Sequence, residues 1–215
     1  MTIRDNLHKY VFNIVFRFTR TKRMRLFAKV IDPRDGESVL DVGGNDYNWQ
    51  YVSRRLRVEL LNLFVAPITI ESPIEFNSVM GDGTQLAYDD LSFDIGFSNS
   101  VIEHVGTKER QVQFASEIRR VGKKVWVQTP AREFFMEPHF FTPFVHWIPK
   151  ASRKWVVHWF SFWSWYWSAS REETDAMVEE LRLLSKREME GLFPDCRIIT
   201  ERFLFMPKSY IAVRD

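Results

Sequence analysis

The sequence predicts an α/β fold in which a mainly parallel sheet ends in an antiparallel edge, and two observations favour it. Short apolar runs of strand length alternate with segments of helical periodicity over the middle of the chain. Such alternation is typical of parallel sheets with crossover helices. The last two predicted strands, residues 197–205 and 209–213, are separated only by a turn, which indicates an antiparallel pair.

Five strands precede that pair, and each is a short run rich in apolar residues that ends in turn-forming residues. They are predicted at residues 38–42, 58–65, 76–80, 93–99 and 125–128. Apolar side chains at helical spacing predict helices at residues 49–56, 108–121 and 173–192. Two prolines in residues 66–75 predict a loop in place of a full crossover helix.

Length and composition narrow the class of protein. The 215 residues, 45% hydrophobic and 27% charged, suit one folded domain. A net charge of +2 gives no reason to expect a nucleic-acid partner. The single cysteine, Cys196, excludes an internal disulfide framework, and the five histidines do not fall at metal-ligand spacings. No metal site is therefore expected.

Glycine and polar residues lie at the ends of four of the predicted strands, at one edge of the sheet. The set consists of Asp41, Gly43, Gly44, Asn62, the segment 81–84, Ser98 and Asn99. The carboxyl ends of parallel strands are where open α/β sheets bind ligands. Taken singly, each residue is also explained as a turn or a cap. Four such groups in order predict a nucleotide-type cofactor site.

Three runs in this region resemble class I S-adenosylmethionine-dependent methyltransferases: VLDVGG at 39–44, GDGT at 81–84 and FDIGFSNSVIEHV at 93–105. The similarity covers residues ~35–215 and is strongest toward the type 11, bacterial small-molecule branch. It implies a seven-stranded, Rossmann-like sheet whose last strand is antiparallel. It also implies S-adenosylmethionine as cofactor and S-adenosylhomocysteine as product. The dehydrogenase fingerprint G-x-G-x-x-G is absent.

The resemblance assigns roles to the residues at the strand ends. Asp41, Gly43 and Gly44 would hold the methionine portion, Asn62 the ribose, Asp82 and Gly83 the adenine, and Ser98 the turn beneath the sulfonium. Asn45, Leu63, Thr84 and Asn99 would be neighbouring cofactor contacts. Two features depart from the family pattern. Asn45 and Tyr47 replace expected glycines, and Asn62 replaces an acid, although an amide can still bond a hydroxyl.

Candidates for the acceptor side are few, because methyl transfer from an activated donor mainly requires alignment and exclusion of water. The catalytic candidates are Glu103, His104 and His139, and the substrate-binding candidates are Glu137, His139 and His146. A base is needed only for a protonated acceptor, and histidine titrates near neutrality. Each residue also has a structural interpretation. Glu103 and His104 would be a pair that orders the loop, Glu137 and His139 part of a hinge that packs the cap, and His146 a packed residue of an aromatic face.

Residues 1–33 and 131–170 interrupt the α/β pattern, and we expect them to form a helical, aromatic-rich cap on a domain spanning residues 34–215. Trp155, Trp159, Trp163 and Trp167 recur every four residues, which predicts one stripe on a helix. Three interpretations stay open: a packed cap helix, an apolar acceptor pocket, or insertion into a membrane interface. Basic residues near the amino terminus favour the third.

The predicted activity is transfer of a methyl group to a small or amphiphilic acceptor, for example an oxygen of a lipid, a quinone-like or a glycan-linked molecule. The alternative is a non-catalytic binding module, or a membrane-surface module, that keeps the same sheet. The uncharged stretch 155–170 is shorter than the roughly 20 apolar residues of a spanning helix. We therefore expect a cytoplasmic protein, with peripheral contact to a membrane as the alternative and the oligomeric state open.

Overall fold

The computed structural model describes residues 19–137, 140, 142–160 and 170–215. Nine strands are found in this part of the chain. They are β1 (Ser38–Val42), β2 (Arg57–Asn62), β3 (Glu75–Met80), β4 (Phe93–Asn99), β5 (Gly122–Pro130), β6 (Met136–Glu137), β7 (Thr142–Pro143), β8 (Arg197–Phe203) and β9 (Met206–Arg214). The strands β6 and β7 form a separate two-stranded pair.

The other seven strands form one sheet in the order β3-β2-β1-β4-β5-β9-β8. The first five of these are parallel to one another, and β9 runs antiparallel to both β5 and β8. The predicted seven-stranded, mostly parallel sheet with an antiparallel last strand is confirmed. The antiparallel strand lies one place in from the edge, because β8 is the edge strand.

Helices flank the sheet. They are α1 (19–31), α2 (Lys108–Val121), α3 (Lys150–Phe160), α4 (Arg171–Glu180) and α5 (Lys186–Leu192), with short 3-10 helices at Asp46–Tyr51, Ile102–His104 and Val145–Trp147. Helix α2 begins where the Thr107 side chain accepts a bond from the Arg110 backbone. No helix in the described ranges is long and apolar enough to cross a membrane.

Two predicted helices differ from the structure. The predicted helix 173–192 is two helices, α4 and α5, because Leu184 leaves the helical path to pair with Ala131 in a β-bridge. Ser185 then starts α5 with a new capping box. The predicted helix 49–56 is instead the 3-10 helix Asp46–Tyr51. The second strand also stops at Asn62, three residues earlier than predicted.

Apolar side chains fill both faces of the sheet. One layer packs α2 and α5 against it, and the other packs α1 and the 3-10 helix after β1. Phe27 of α1 meets the rings of Trp49, Phe97 and Trp126 edge-on, with centroids 5.2–5.7 Å apart. Part of the predicted amino-terminal cap segment is therefore a helix of the main core. A third, smaller cluster joins α3 and α4 beside the sheet.

Candidate functional site

The turn after β1 presses its backbone against neighbouring side chains. Gly43 has φ +76°, and a Cβ there would lie 2.5 Å from a methyl carbon of Val101. A Cβ on Gly44 would lie 1.9 Å from Oδ2 of Asp41. Only glycine fits at both positions, so this turn leaves its other face open for a ligand to approach the bare backbone.

Asp41 lies beneath that turn and is fully buried. Its Oδ2 accepts a 2.8 Å hydrogen bond from the indole Nε1 of Trp49, and Oδ1 has no hydrogen-bond partner among the described residues. Burial raises the pKa of this carboxyl to about 7, although the bond from Trp49 acts in the opposite direction. A buried carboxyl that titrates near neutrality is typical of functional sites.

An open cavity of about 430 Å³ lies on the exposed side of the turn, within the size range of small-molecule sites, roughly 300–1,000 Å³. It is lined by Gly43, Gly44, Asn45, Asp46, Tyr47, Asn62, Phe64, Ala66, Pro67 and Thr69. The amide of Asn62 donates a 2.9 Å bond to the Gly44 carbonyl oxygen. The end of β2 is thereby fastened to the glycine turn.

The two glycine replacements cause no backbone strain. Asn45 is extended, with φ −139°, and Tyr47 lies in the 3-10 helix, so neither position requires glycine. Between them, the Asp46 carboxylate accepts bonds from Thr69 and from the Ile70 backbone. Burial opposes ionisation of Asp46, but these bonds outweigh it and lower its pKa. The loop beyond β2 is thus held against the cavity.

Helix α1 also reaches this cavity. The guanidinium carbon of Arg20 lies 5.7 Å from the ring centroid of Tyr47, a cation–π distance. Leu63, another predicted cofactor contact, directly follows β2 and is 75% exposed beside the lining residue Phe64. These contacts place an aromatic and apolar rim around the polar turn.

The segment after β3 is held by its own hydrogen bonds. Oδ1 of Asp82 accepts bonds from the backbone (2.9 Å) and the hydroxyl (2.7 Å) of Thr84, while Oδ2 accepts a 3.0 Å bond from Arg110. The Thr84 backbone bond is the largest of the effects that lower the pKa of Asp82. A Cβ on Gly83 would lie 2.6 Å from Val42. These residues adjoin the β1–β2 cavity but do not line it.

At the end of β4, Ser98 and Asn99 have different partners. The buried Ser98 hydroxyl donates a 2.9 Å bond to the Val42 carbonyl oxygen and so ties β4 to β1. Asn99 accepts a 3.0 Å bond from Arg23 of α1, and Arg23 also donates to Glu201 of β8 at 3.1 Å. Arg23 lies 76 residues before Asn99 and Glu201 lies 102 residues after it, and no local pattern in the sequence marks them as partners.

Glu103 and His104 lie in the 3-10 helix that follows β4. Glu103 is fully buried, and its Oε2 accepts a 2.9 Å bond from the Thr129 hydroxyl at the end of β5. Its backbone carbonyl accepts a 2.8 Å bond from the Arg182 backbone. His104 is half-buried. Thr129, which the sequence did not single out, therefore holds the carboxylate of the predicted catalytic pair.

The remaining acceptor-side residues lie between β5 and α4. Glu137 is fully buried, and its Oε2 accepts a 2.6 Å bond from the Phe140 backbone. The Nε2 atom of His146 lies 3.0 Å from the Arg132 carbonyl oxygen, and burial lowers the His146 pKa. His139, Trp163, Trp167 and the residues before 19 lie outside the described residues.

A second cavity, of about 210 Å³, opens beside His146. It is lined by Arg132, His146, Lys150, Arg153, Leu181, Arg182 and Leu183. Four of these seven residues are cationic, and they come from segments up to 50 residues apart. In the described residues no group of three or more histidine, cysteine, aspartate or glutamate side chains could hold a metal ion.

A ridge of aromatic rings borders the second cavity. The ridge runs through Phe203, Phe134, Phe135, Phe144 and Trp147, with successive ring centroids 4.9–6.1 Å apart. Trp147 donates its indole N–H to the Arg132 carbonyl oxygen at 2.9 Å. On α3, Trp155 and Trp159 are 60% and 63% exposed. These two rings of the predicted stripe lie outside the core, while Val157 supplies the buried face.

Residues 40–125 match a family described as a methyltransferase domain. This part of the chain carries the glycine turn and the ends of β1 to β4. A search of curated proteins finds no match.

Solved structures share the fold at low sequence identity. One is the complex of a methyltransferase activator from Haloferax volcanii with a protein named as a putative methyltransferase. Its matching chain is 14% identical over 98% of this chain and 92% of that chain, with TM-score 0.53. A protein from Pyrococcus horikoshii is 16% identical over 92% and 89%, with TM-score 0.52. The magnesium protoporphyrin IX methyltransferase of Synechocystis, with bound S-adenosylhomocysteine, is 10% identical over 94% and 84%, with TM-score 0.52.

Proposed function

We propose that this chain, whose residues 40–125 match a methyltransferase domain family, transfers a methyl group from S-adenosylmethionine to a small or amphiphilic acceptor and releases S-adenosylhomocysteine. The observation that carries the proposal is the glycine turn after β1. Its backbone leaves no room for a Cβ on the side of Asp41, and it lines an open cavity on the other side. A ligand can therefore approach the main chain there without meeting side chains.

The residues at this turn fit the proposed cofactor. Gly43, Gly44 and Asn45 would line the methionine portion, and the buried carboxyl of Asp41 would fix the turn from below. Asn62, already bonded to the Gly44 carbonyl, would present its amide oxygen to a ribose hydroxyl. The cofactor supplies an activated methyl group on a sulfonium, which is why few catalytic side chains are required.

On the adenine side, Asp82, Gly83 and Thr84 would form the wall, with Leu63 as an apolar cover. The Thr84 bonds fix the orientation of the Asp82 carboxylate and leave it 41% exposed. Ser98 and Asn99 would support the site from beneath, through their bonds to β1 and α1. Such pre-ordered groups cost little conformational entropy on ligand binding.

For a hydroxyl acceptor, His104 would take the proton. Its neighbour Glu103 is turned into the core and held by Thr129, so we assign it the positioning of the 3-10 helix on which His104 lies. Glu137 and His146 would shape the acceptor side, where Glu137 fixes the backbone at Phe140. The role of His139 stays a prediction from the sequence.

The amphiphilic acceptor is favoured by the aromatic ridge and by the exposed tryptophans of α3. Aromatic rings offer an apolar contact surface next to polar groups and are common at lipid interfaces. A lipid, quinone-like or glycan-linked molecule that carries both an apolar and a polar part would fit this arrangement. Peripheral contact with a membrane surface would follow from the same rings.

The test is calorimetric titration of the protein with S-adenosylmethionine and with S-adenosylhomocysteine. We expect micromolar binding that Asp82→Ala weakens at least tenfold, about 1.4 kcal/mol, because Asp82 forms part of the proposed adenine wall. Asp90→Ala is the matched control, since Asp90 also pairs with an arginine of α2 but is 77% exposed. A folded protein that binds neither ligand at millimolar concentration would favour the non-catalytic binding module.

A further inference from the structure

The second cavity has an unusual balance of charge. We call its five polar residues, Arg132, His146, Lys150, Arg153 and Arg182, the basic pocket. Two of its cations already have acidic partners: Arg182 contacts Glu188, and Lys150 lies 3.4 Å from Glu179. The other two arginines have none within salt-bridge distance among the described residues.

Arg153 is the more enclosed of these two. Its Nη2 donates to the carbonyl oxygens of His146 and Ile148, at 2.9 and 3.2 Å, and its Nε is buried without a partner. Burial lowers the pKa of Arg153 most, while the charge of Glu137 raises it and that of Arg132 lowers it. A half-buried guanidinium without a bonded counter-ion is costly, so this arrangement favours the entry of an anion.

Arg132 supplies further unused donors beside the His146 ring. Arg132 is exposed and lines the cavity, and among the described residues its side chain has no hydrogen-bond or salt-bridge partner. His146 is 91% buried, and its Nε2–H donates to the Arg132 carbonyl oxygen, so Nδ1 of the neutral ring is an acceptor. Burial lowers the His146 pKa most, and of the nearby charges Glu137 raises it and Arg153 lowers it. The pocket therefore offers unused donors from two side chains, Arg132 and Arg153.

We propose that the basic pocket binds a phosphoryl group carried by the methyl acceptor. Guanidinium groups match the oxygens of a phosphoryl group in a bidentate manner, and a lysine adds a point charge. Two arginines and a lysine provide more donors than a single carboxylate can accept. A concave cavity of about 210 Å³ suits one such group and not an extended polyanion.

The position of the pocket connects it with the reaction. Arg132 comes two residues after the end of β5, and the Arg182 backbone donates a 2.8 Å bond to the carbonyl of Glu103. The pocket is thus fastened to the 3-10 helix that carries His104, while Trp147 of the aromatic ridge bonds the Arg132 carbonyl. An amphiphilic acceptor would place its apolar part on the ridge and its phosphoryl group in the pocket. This assignment rests on the proposed function.

The test is calorimetric titration with inorganic phosphate at constant ionic strength. We expect Arg132→Gln to weaken phosphate binding about tenfold or more, the effect of losing a charged hydrogen-bond donor. The Arg132 side chain makes no bond to a described residue, and its main-chain bonds remain in the variant, so the variant should fold. Arg34→Gln is the matched control, because Arg34 is an exposed arginine just before β1, at the opposite edge of the sheet. S-adenosylmethionine affinity should be unchanged in both variants.

Three results would overturn the proposal: equal loss in the two variants, equal binding of acetate and phosphate, or no phosphate binding at ~10 mM. Vesicles of phosphatidic acid and of phosphatidylcholine distinguish the source of the phosphoryl group. Binding to the phosphatidic acid vesicles but not to the phosphatidylcholine vesicles, lost when inorganic phosphate is added, supports a lipid acceptor. Binding of inorganic phosphate without binding to either vesicle supports a soluble acceptor. Phosphate binding without S-adenosylmethionine binding would remove the proposed function and leave an anion site.

Discussion

The proposed cofactor side and the proposed acceptor side of this protein, called the cofactor side and the acceptor side below, are held together in different ways. On the cofactor side, the turns after β1 to β4 are fastened to one another by bonds such as Asn62 to Gly44 and Ser98 to Val42. On the acceptor side, the described residues between 131 and 183 include exposed rings and cations whose donors are only partly used. The first side is pre-ordered for a ligand of fixed shape, and the second retains free donors and surface for a ligand of its own.

The largest expected effect concerns the closest contact on the cofactor side. Gly44→Ala would place a Cβ 1.9 Å from Asp41 Oδ2, and relief of that clash must move the turn. Overpacking of this kind costs about 3 kcal/mol, so we expect S-adenosylmethionine affinity to fall ~100-fold. Titration calorimetry measures it.

Gly191→Ala is the control for that change. A Cβ on Gly191, in α5, meets nothing within 4 Å, so stability should stay the same or rise by up to about 1 kcal/mol. Equal cofactor affinity in Gly44→Ala and Gly191→Ala would show that the turn does not contact the cofactor. The cofactor side would then no longer differ from the acceptor side in being pre-ordered for its ligand.

The largest effect that depends on pH concerns the stability of the folded state. The pKa of Asp41 is about 7 in the folded protein, against an ordinary value of 3.8. Between these values the folded state keeps a proton that the unfolded chain has released, so stability falls as pH rises, by about 4 kcal/mol in total. Asp41→Asn should remove this slope, as urea denaturation from pH 4 to 8 would show.

Asp94→Asn is the control with the opposite sign. Bonds from Ser38 and Lys123 lower the pKa of Asp94 to about 2, so its contribution is present above pH 4 and its variant should be less stable there. If Asp41 also serves the cofactor, Asp41→Asn should be more stable at pH 8 and yet bind S-adenosylmethionine roughly tenfold more weakly. A variant that gains stability without losing affinity would limit Asp41 to a structural role.

The contrast between the two sides also separates what the sequence predicts from what it does not. Strand β4 and helix α2 have the predicted bounds, because local signals mark their ends. Strand β4 ends at the pair Asn99-Ser100, and α2 lies between Thr107 and Gly122. The order of glycine and polar residues at the strand ends predicted the sheet edge in the same way. These features depend on neighbours in the sequence.

Features that depend on distant partners were not predicted. The apolar spacing of residues 181–185 continues a helical pattern, but the bridge from Leu184 to Ala131 breaks the helix there. The bond between Arg23 and Glu201 joins residues 178 positions apart. The cations of the basic pocket are scattered between residues 132 and 182, so in the sequence they have the pattern of solvated charges.

A smaller effect is expected where α1 meets the cofactor cavity. Arg20→Gln would remove the cation–π contact with Tyr47, a loss of about 0.5–1 kcal/mol at a partly exposed site. S-adenosylmethionine affinity should fall about two- to fivefold by calorimetry. Arg25→Gln, an exposed arginine on the same helix, should leave the affinity unchanged. Equal effects in both variants would indicate general electrostatic attraction by α1 and not a specific contact.

The smallest effect on stability is expected on the acceptor side, at the tryptophans of α3. The double variant Trp155→Ser and Trp159→Ser removes rings that are mostly exposed, so thermal stability should change by less than about 1 kcal/mol. If these rings contact a membrane surface, vesicle co-sedimentation should fall in the same variant, because interfacial tryptophans contribute apolar contact. Val157→Ser, on the buried face of the same helix, should instead cause a large loss of stability. A double variant that unfolds would mean that α3 packs against a partner through its tryptophan face, and the acceptor side would then be as tightly held as the cofactor side.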